Sequence, residues 1–286
     1  MDSARAVRPP RRRWTAAEVL EHLPTSGISS ARIETLGLGN VGITFNVHLL
    51  LGPDGEWSGW LAKRLRSACF ADPDATFARF RREHELVEAH FRRFPEGPEV
   101  PPTCFTVVDR SLGPDRDTLA GRELVLLQEY VTGVTLSAAA ERFGRDVPAW
   151  LRARLQGLVR SYSALQASGT VPDLFLLTSD HLKVDEPGER LVLIDTNNLV
   201  AIDTELAGNS LFRGYDSQRH VSVATLHQVK DRICADHGVD ERRCSCDDRA
   251  VNLTELRTIL DLCRYFPLPP TPNAYLAKVI QAFGLT

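Results

Sequence analysis

The sequence predicts an α+β chain in two lobes, a small antiparallel sheet with its helix followed by a helical part. Three observations carry that expectation. Apolar and polar residues alternate strictly over Ile43-Thr44-Phe45-Asn46-Val47-His48-Leu49, and a second strand-like run, Trp57 to Leu65, follows the turn residues Gly52-Pro53-Asp54-Gly55; period two marks a half-buried strand. Phe77, Phe80, His84, Val87 and Phe91 recur at spacings of three and four, one face of a helix over 74–92. Leu151, Leu155, Leu158, Tyr162 and Leu165 do the same over 147–167, and 217–283 reads as helical, most clearly at Val221 to Cys234 and Leu253 to Tyr265. At about 150 residues per domain, 286 residues fit two domains or one domain of two lobes.

Composition narrows the function classes. With 43% hydrophobic residues the chain can bury a core. A formal net charge of -3 argues against a dedicated nucleic-acid binder, which carries a basic excess. The charge is uneven: Arg5, Arg8, Arg11, Arg12 and Arg13 stand against Asp2, so residues 1–13 carry +4 and the rest -7. With Pro9 and Pro10 and no apolar period, 1–13 reads as a solvated disordered arm, or as a contact for an acidic partner or anionic lipid. No apolar stretch approaches the ~18 residues of a membrane span, and no signal-peptide core follows the arm. The expectation is a soluble, cytoplasmic protein of three parts: the arm (1–13), an N-terminal lobe with a leading helix (14–130) and a helical C-terminal lobe (131–286).

The elements follow in order. Trp14 to Leu23 reads as a short helix with Thr15 as N-cap, Glu18 completing a capping box and Pro24 ending it. Gly37-Leu38-Gly39-Asn40-Val41-Gly42 then matches G-x-G-x-x-G. In a dinucleotide-binding unit the third glycine opens a helix. Here it opens the alternating run, which argues against a Rossmann-type oxidoreductase. The glycines let backbone N–H groups approach phosphate oxygens, or they simply make a hairpin turn. Leu61, Lys63 and Leu65 share one strand face. Leu61 there can roof a base while Lys63 reaches its phosphates; the plainer alternative is a solvated lysine. On the helix over 74–92, Glu83 borders the apolar face; Glu85 points about 140° from Phe80, and Glu88 ranks third. Val100-Pro101-Pro102 starts an extended segment through Val107 and Val108, and a polar loop spans 109–121. A buried strand then runs through Glu123-Leu124-Val125-Leu126-Leu127-Gln128 into Glu129-Tyr130-Val131, followed by Gly133 and Leu136.

Strand, glycine loop, strand, turn, lysine strand, helix and hinge fall in an order that resembles kinases and aminoglycoside-phosphotransferase-like proteins, in a divergent form. The resemblance covers approximately residues 31–200. It implies a two-lobed kinase-like fold binding ATP and Mg²⁺ between its lobes. Gly37, Gly39, Gly42 and Lys63 would lie against the phosphates, with Lys63 held by Glu83. Leu61 would lie against the base, and the main chain of Glu129 and Val131 would hold the adenine. Asp173, in Val171-Pro172-Asp173-Leu174, fits the catalytic base. A hairpin comes next: Leu182-Lys183-Val184, the turn Glu186-Pro187-Gly188-Glu189, and Leu191-Val192-Leu193-Ile194-Asp195. Asp195 fits the magnesium-binding aspartate.

The sequence departs from the family at several points. Pro172 precedes Asp173, and the family histidine is absent. Asp180 or His181 stands where the metal-binding asparagine belongs. Asp180 is a hard oxygen donor, whereas a histidine nitrogen substitutes poorly for one; Asn197 or Asn198 can compensate from the opposite strand. Asn197 also replaces the glycine of Asp-Phe-Gly. The pattern suits an atypical kinase acting on a protein or small-molecule hydroxyl, or a pseudokinase serving as a regulatory or interaction module.

Among six cysteines, Cys69, Cys104 and Cys263 are scattered and expected to be buried or free. Cys234, His237, Cys244 and Cys246 can close a tetrahedral structural zinc site; a local disulfide and free thiols are the alternatives.

Overall fold

The computed structural model describes residues 12–29, 44–109, 112, 121–143, 146–166, 170–172, 181–196, 199–201 and 238–240. The chain divides into two units. The first comprises Met1–Ala78, Pro101–Tyr130 and His237–Asp248, and the second the remainder. The expected helices at Val221 to Cys234 and Leu253 to Tyr265 lie outside the described residues, as does the arm before Arg12. Among the described residues no helix is long and apolar enough to cross a membrane.

In the first unit, α1 (Ala16–His22) begins as its sequence dictates. The Thr15 hydroxyl accepts from the Glu18 N–H at 3.3 Å, and the Glu18 carboxylate accepts from the Thr15 N–H at 2.8 Å. The Thr15 N–H and hydroxyl, both donating to the Glu18 carboxylate, with Arg12 adding its charge, hold the Glu18 carboxyl below the usual carboxylate range. The α-helix ends at His22 with Leu23 as its C-cap, so it stops before Pro24 as expected. Pro24 sits in a 3-10 turn, Leu23–Thr25, because a proline in the first turn of a helix lacks only an N–H that would have no partner there.

β1 (Gly27–Ser29), β2 (Phe45–Leu51), β3 (Trp57–Leu65), β4 (Thr103–Val108) and β5 (Glu123–Glu129) form one antiparallel sheet in the order β1-β2-β3-β5-β4. β3 occupies its expected span. β2 runs two residues beyond its expected end, and its alternation does not mean a half-solvated strand. His48 is buried, because it pairs opposite Ala62 on the face that packs with Val19 and Leu23. That face holds the larger core, with Leu50, Trp60, Val125 and Leu127. Sheet pairing also puts Arg64 and Glu123 there, 1% and 2% exposed, joined by Nε–H to Oε2 at 2.9 Å and Nη2–H to Oε1 at 2.6 Å. Glu123 Oε1 accepts a further bond from the Leu112 N–H at 3.1 Å. A buried ion pair holds only when its remaining lone pairs are satisfied in this way.

α2 (Pro73–Phe91) buries the five residues that its spacing singles out: Phe77, Phe80, His84, Val87 and Phe91. Phe77 and the earlier turn belong to the first unit; the helix from Arg79 on belongs to the second.

The second unit continues with β6 (Val134–Thr135), α3 (Leu136–Phe143), α4 (Ala149–Gln166), β7 (Thr170–Pro172), β8 (Leu182–Asp185), β9 (Arg190–Leu193) and β10 (Leu199–Ala201). β6, β8 and β9 form an antiparallel sheet in that order, and β7 pairs with β10. Leu151, Leu155 and Leu158 of α4 are buried; the side chains of Tyr162 and Leu165 lie outside the described set. Two glycines are required here. Gly133 has φ 131°, and a Cβ on it would strike the Val184 carbonyl; a Cβ on Gly157 would strike the Glu96 carbonyl.

Candidate functional site

The site residues fall in both units, and each unit is described by itself. In the first, Lys63 stands opposite Val47 on β2 and Leu126 on β5, while Leu61 stands opposite Leu49 and Gln128. Directly paired antiparallel residues project to the same side. Lys63 therefore shares a sheet face with Val47, Leu49, Leu61, Leu126 and Gln128, away from the larger core. Leu49 and Leu61 are buried, with Val47, Leu51, Trp57 and Tyr130 packed about them. Lys63 itself is half-buried. Gln128 is 2% exposed and donates from Nε2 to Thr103 Oγ1 at 3.3 Å; that hydroxyl donates to the Pro101 carbonyl at 2.8 Å. The arrangement is an apolar surface with Lys63 beside it.

At the end of β5 the Glu129 N–H donates to the Pro102 carbonyl and the Tyr130 N–H to the Gly59 carbonyl, each at 3.0 Å. These bonds fix the course of the chain at this point. The Glu129 carboxylate lies 3.2 Å from Arg13. Burial pushes the Tyr130 phenol up, against the opposing pull of Arg13. Val131, the first residue of the next stretch of the second unit, is buried. Gly37, Gly39 and Gly42 lie outside the described residues.

In the second unit Glu83 lies one residue before His84, with Arg79 Nε at 3.8 Å. Its side chain is 15% exposed, against 55% for Glu85 and 42% for Glu88. The latter two are solvated acids with their own i,i+4 arginines. Glu83 is the sheltered one because it borders the buried face of α2.

The β8–β9 hairpin positions His181 and Asp195. Leu182 pairs with Leu193, and the Ile194 N–H donates to the His181 carbonyl at 2.8 Å, extending the ladder by one pair. His181 and Asp195 thus meet across one end of the hairpin, with Nε2 and Oδ2 3.7 Å apart and side chains 16% and 24% exposed. Asp173 and Asp180 lie outside the described residues, as do Asn197 and Asn198. One imidazole and one carboxylate do not make the oxygen shell that magnesium requires. Among the described residues no group of three or more His, Cys, Asp or Glu could hold a metal ion.

Two features escaped the sequence reading. Nδ1 of His84 lies 2.6 Å from Thr196 Oγ1, both buried. The residue beside Glu83 is thereby tied to the residue after Asp195. The signal was available, since His84 is the one polar member of an apolar helix face. The second is Cys69, which is disulfide-bonded, not a free thiol. Cys104 is free, so the partner of Cys69 lies outside the described residues, as do Cys234, His237, Cys244 and Cys246. The Asp240 N–H donates to the Cys69 carbonyl at 2.8 Å.

No family model matches the chain, and no curated protein matches it. Among solved structures it is similar to the kinase domain of Mycobacterium tuberculosis PknI at 18% identity, and to a double mutant of that domain at 17%. Each alignment covers 86% of this chain and 92% of the other, with a TM-score of 0.34. At that score the likeness is remote, and the chemistry of the site rests on this chain's own residues.

Proposed function

We propose that the chain is a kinase-like phosphotransferase that binds ATP and transfers its γ-phosphate to a hydroxyl of a protein or small molecule. The observation that carries the reading is the face of β3: a half-buried lysine beside an apolar surface of Val47, Leu49 and Leu61. A purine needs such a surface, and a triphosphate needs such a cation beside it. Glu83 supports the reading as the sheltered acid of α2. Asp195 supports it as an acid held at a hairpin end. In this reading Gly37, Gly39 and Gly42 approach the phosphates, and the main chain of Glu129 and Val131 takes the adenine. Lys63 neutralises phosphate charge, Glu83 orients Lys63, and Asp173 receives the acceptor hydroxyl's proton. Magnesium would ordinarily screen the phosphates, but among the described residues the only donor beside Asp195 is the His181 imidazole, which does not fit it, so no step here is routed through it.

The His181 imidazole beside Asp195 favours the second reading, a pseudokinase that retains a nucleotide pocket as a regulatory or interaction module. Two measurements separate the readings. Calorimetric titration with ATP tests the pocket. Phosphate release by wild type against Asp173→Asn tests catalysis: release lost in the variant supports the enzyme, and equal signals from both rule out Asp173 as the base.

A further inference from the structure

We propose that His84 and Thr196 are a positioning pair that sets the register of α2 against the end of the β8–β9 hairpin, and with it the placement of Glu83 and Asp195 for phosphoryl transfer. The inference rests on the reading of those two acids as members of the phosphate site. All four residues belong to the second unit. His84 Nδ1 and Thr196 Oγ1 are 2.6 Å apart, and both residues are buried. A hydroxyl accepts from an Nδ1–H or donates to a bare Nδ1, so the bond forms with either tautomer.

The kind of contact is what sets a register. Phe80 and Val87 flank His84 on the buried face of α2. Apolar burial drives that face to its cover but is non-directional. A hydrogen bond fixes a distance and a direction. Histidine on this face costs desolvation that a leucine would not; what it adds is a fixed partner. Glu83 precedes His84 by one residue, about 100° around the helix. Holding His84 therefore holds the direction in which Glu83 leaves α2. At the hairpin end, Asp195 stands between two tethered neighbours. The Ile194 N–H donates to the His181 carbonyl at 2.8 Å, and the Thr196 hydroxyl is bonded to His84. The main chain at Asp195 is pinned from both sides, while its side chain still reaches solvent.

The test is phosphate release from ATP by the full chain, compared among wild type, Thr196→Val, Thr196→Ser and the double variant His84→Leu/Thr196→Val. Thr196→Val keeps the shape and removes the hydroxyl. Its kcat should fall about tenfold or more while KM for ATP stays within about twofold, since Lys63 and its apolar surface are untouched. Thr196→Ser keeps the hydroxyl and should release phosphate at close to the wild-type rate. The double variant makes both partners apolar and leaves no buried group unpaired. It should melt close to wild type yet release phosphate as slowly as Thr196→Val, an outcome that a merely structural bond does not give. Should Thr196→Val not fold, the double variant carries the test. A wild-type rate in Thr196→Val or in the double variant overturns the proposal, and so does an equal loss in Thr196→Ser. No release by wild type itself removes the phosphotransferase reading and the proposal with it, so the two failures are told apart.

Discussion

The sheet of the first unit and the β8–β9 hairpin of the second both place charged side chains among apolar neighbours, but they compensate them differently. Arg64 and Glu123 are 1% and 2% exposed, and their charges are answered by two mutual bonds and the Leu112 N–H. In the hairpin, Asp185 is 5% exposed and Arg190 34%, with Arg190 Nε and Nη2 both on Asp185 Oδ2. His181 and Asp195 are only partly covered and sit beyond hydrogen-bond distance. A closed pair serves the fold, since nothing from solution can reach it. The His181–Asp195 end of the hairpin, by contrast, stays within reach of solvent.

The comparison breaks most visibly at the closed pair. Arg64→Ala should cost about 3–5 kcal/mol, because it leaves the Glu123 carboxylate buried without its counter-charge. Replacing both residues by apolar ones of similar size should cost far less, and urea melts of the two variants measure the difference. Reduction of the Cys69 disulfide comes next. It should lower stability by about 2–4 kcal/mol, seen as a lower melting temperature in dithiothreitol that Cys69→Ser reproduces and dithiothreitol does not deepen. Peptide mapping without reductant identifies the partner. If it is Cys234, Cys244 or Cys246, at most three of the four zinc donors remain.

The hairpin's neighbourhood should respond more mildly. Gly133→Ala should cost about 1–3 kcal/mol through its backbone conformation and the Val184 carbonyl. Arg190→Ala should cost about 1–2 kcal/mol, since Asp185 keeps only the Thr132 hydroxyl at 3.5 Å while solvent reaches the vacated side. An Arg190→Ala loss as large as that of Arg64→Ala would show that the hairpin is as closed as the sheet.

The same divide governs how much the sequence discloses. Local signals carry through: the capping box at Thr15 and Glu18, the span of β3, the buried face of α2 and the β8–β9 hairpin each depend on residues a few positions apart. Burial of His48 does not, because the cover for its face comes from α1. The Arg64–Glu123 and His84–Thr196 pairs join residues 59 and 112 positions apart, and no period announces them. β6, β7 and β10 have two or three residues each, too few to show an alternation. Candidate chemistry was legible where a residue type is unusual for its setting, as Lys63 is on an apolar strand. The pairing of His181 with Asp195 needed the hairpin register before its geometry could be read.

The most direct test of the central claim is calorimetric titration of ATP into the full chain and into Lys63→Met, both in chelator and both shown to melt alike. Saturable one-site binding by wild type, weakened at least tenfold in the variant, is the predicted result. No heat at millimolar ATP, or the same affinity in both proteins, would contradict it.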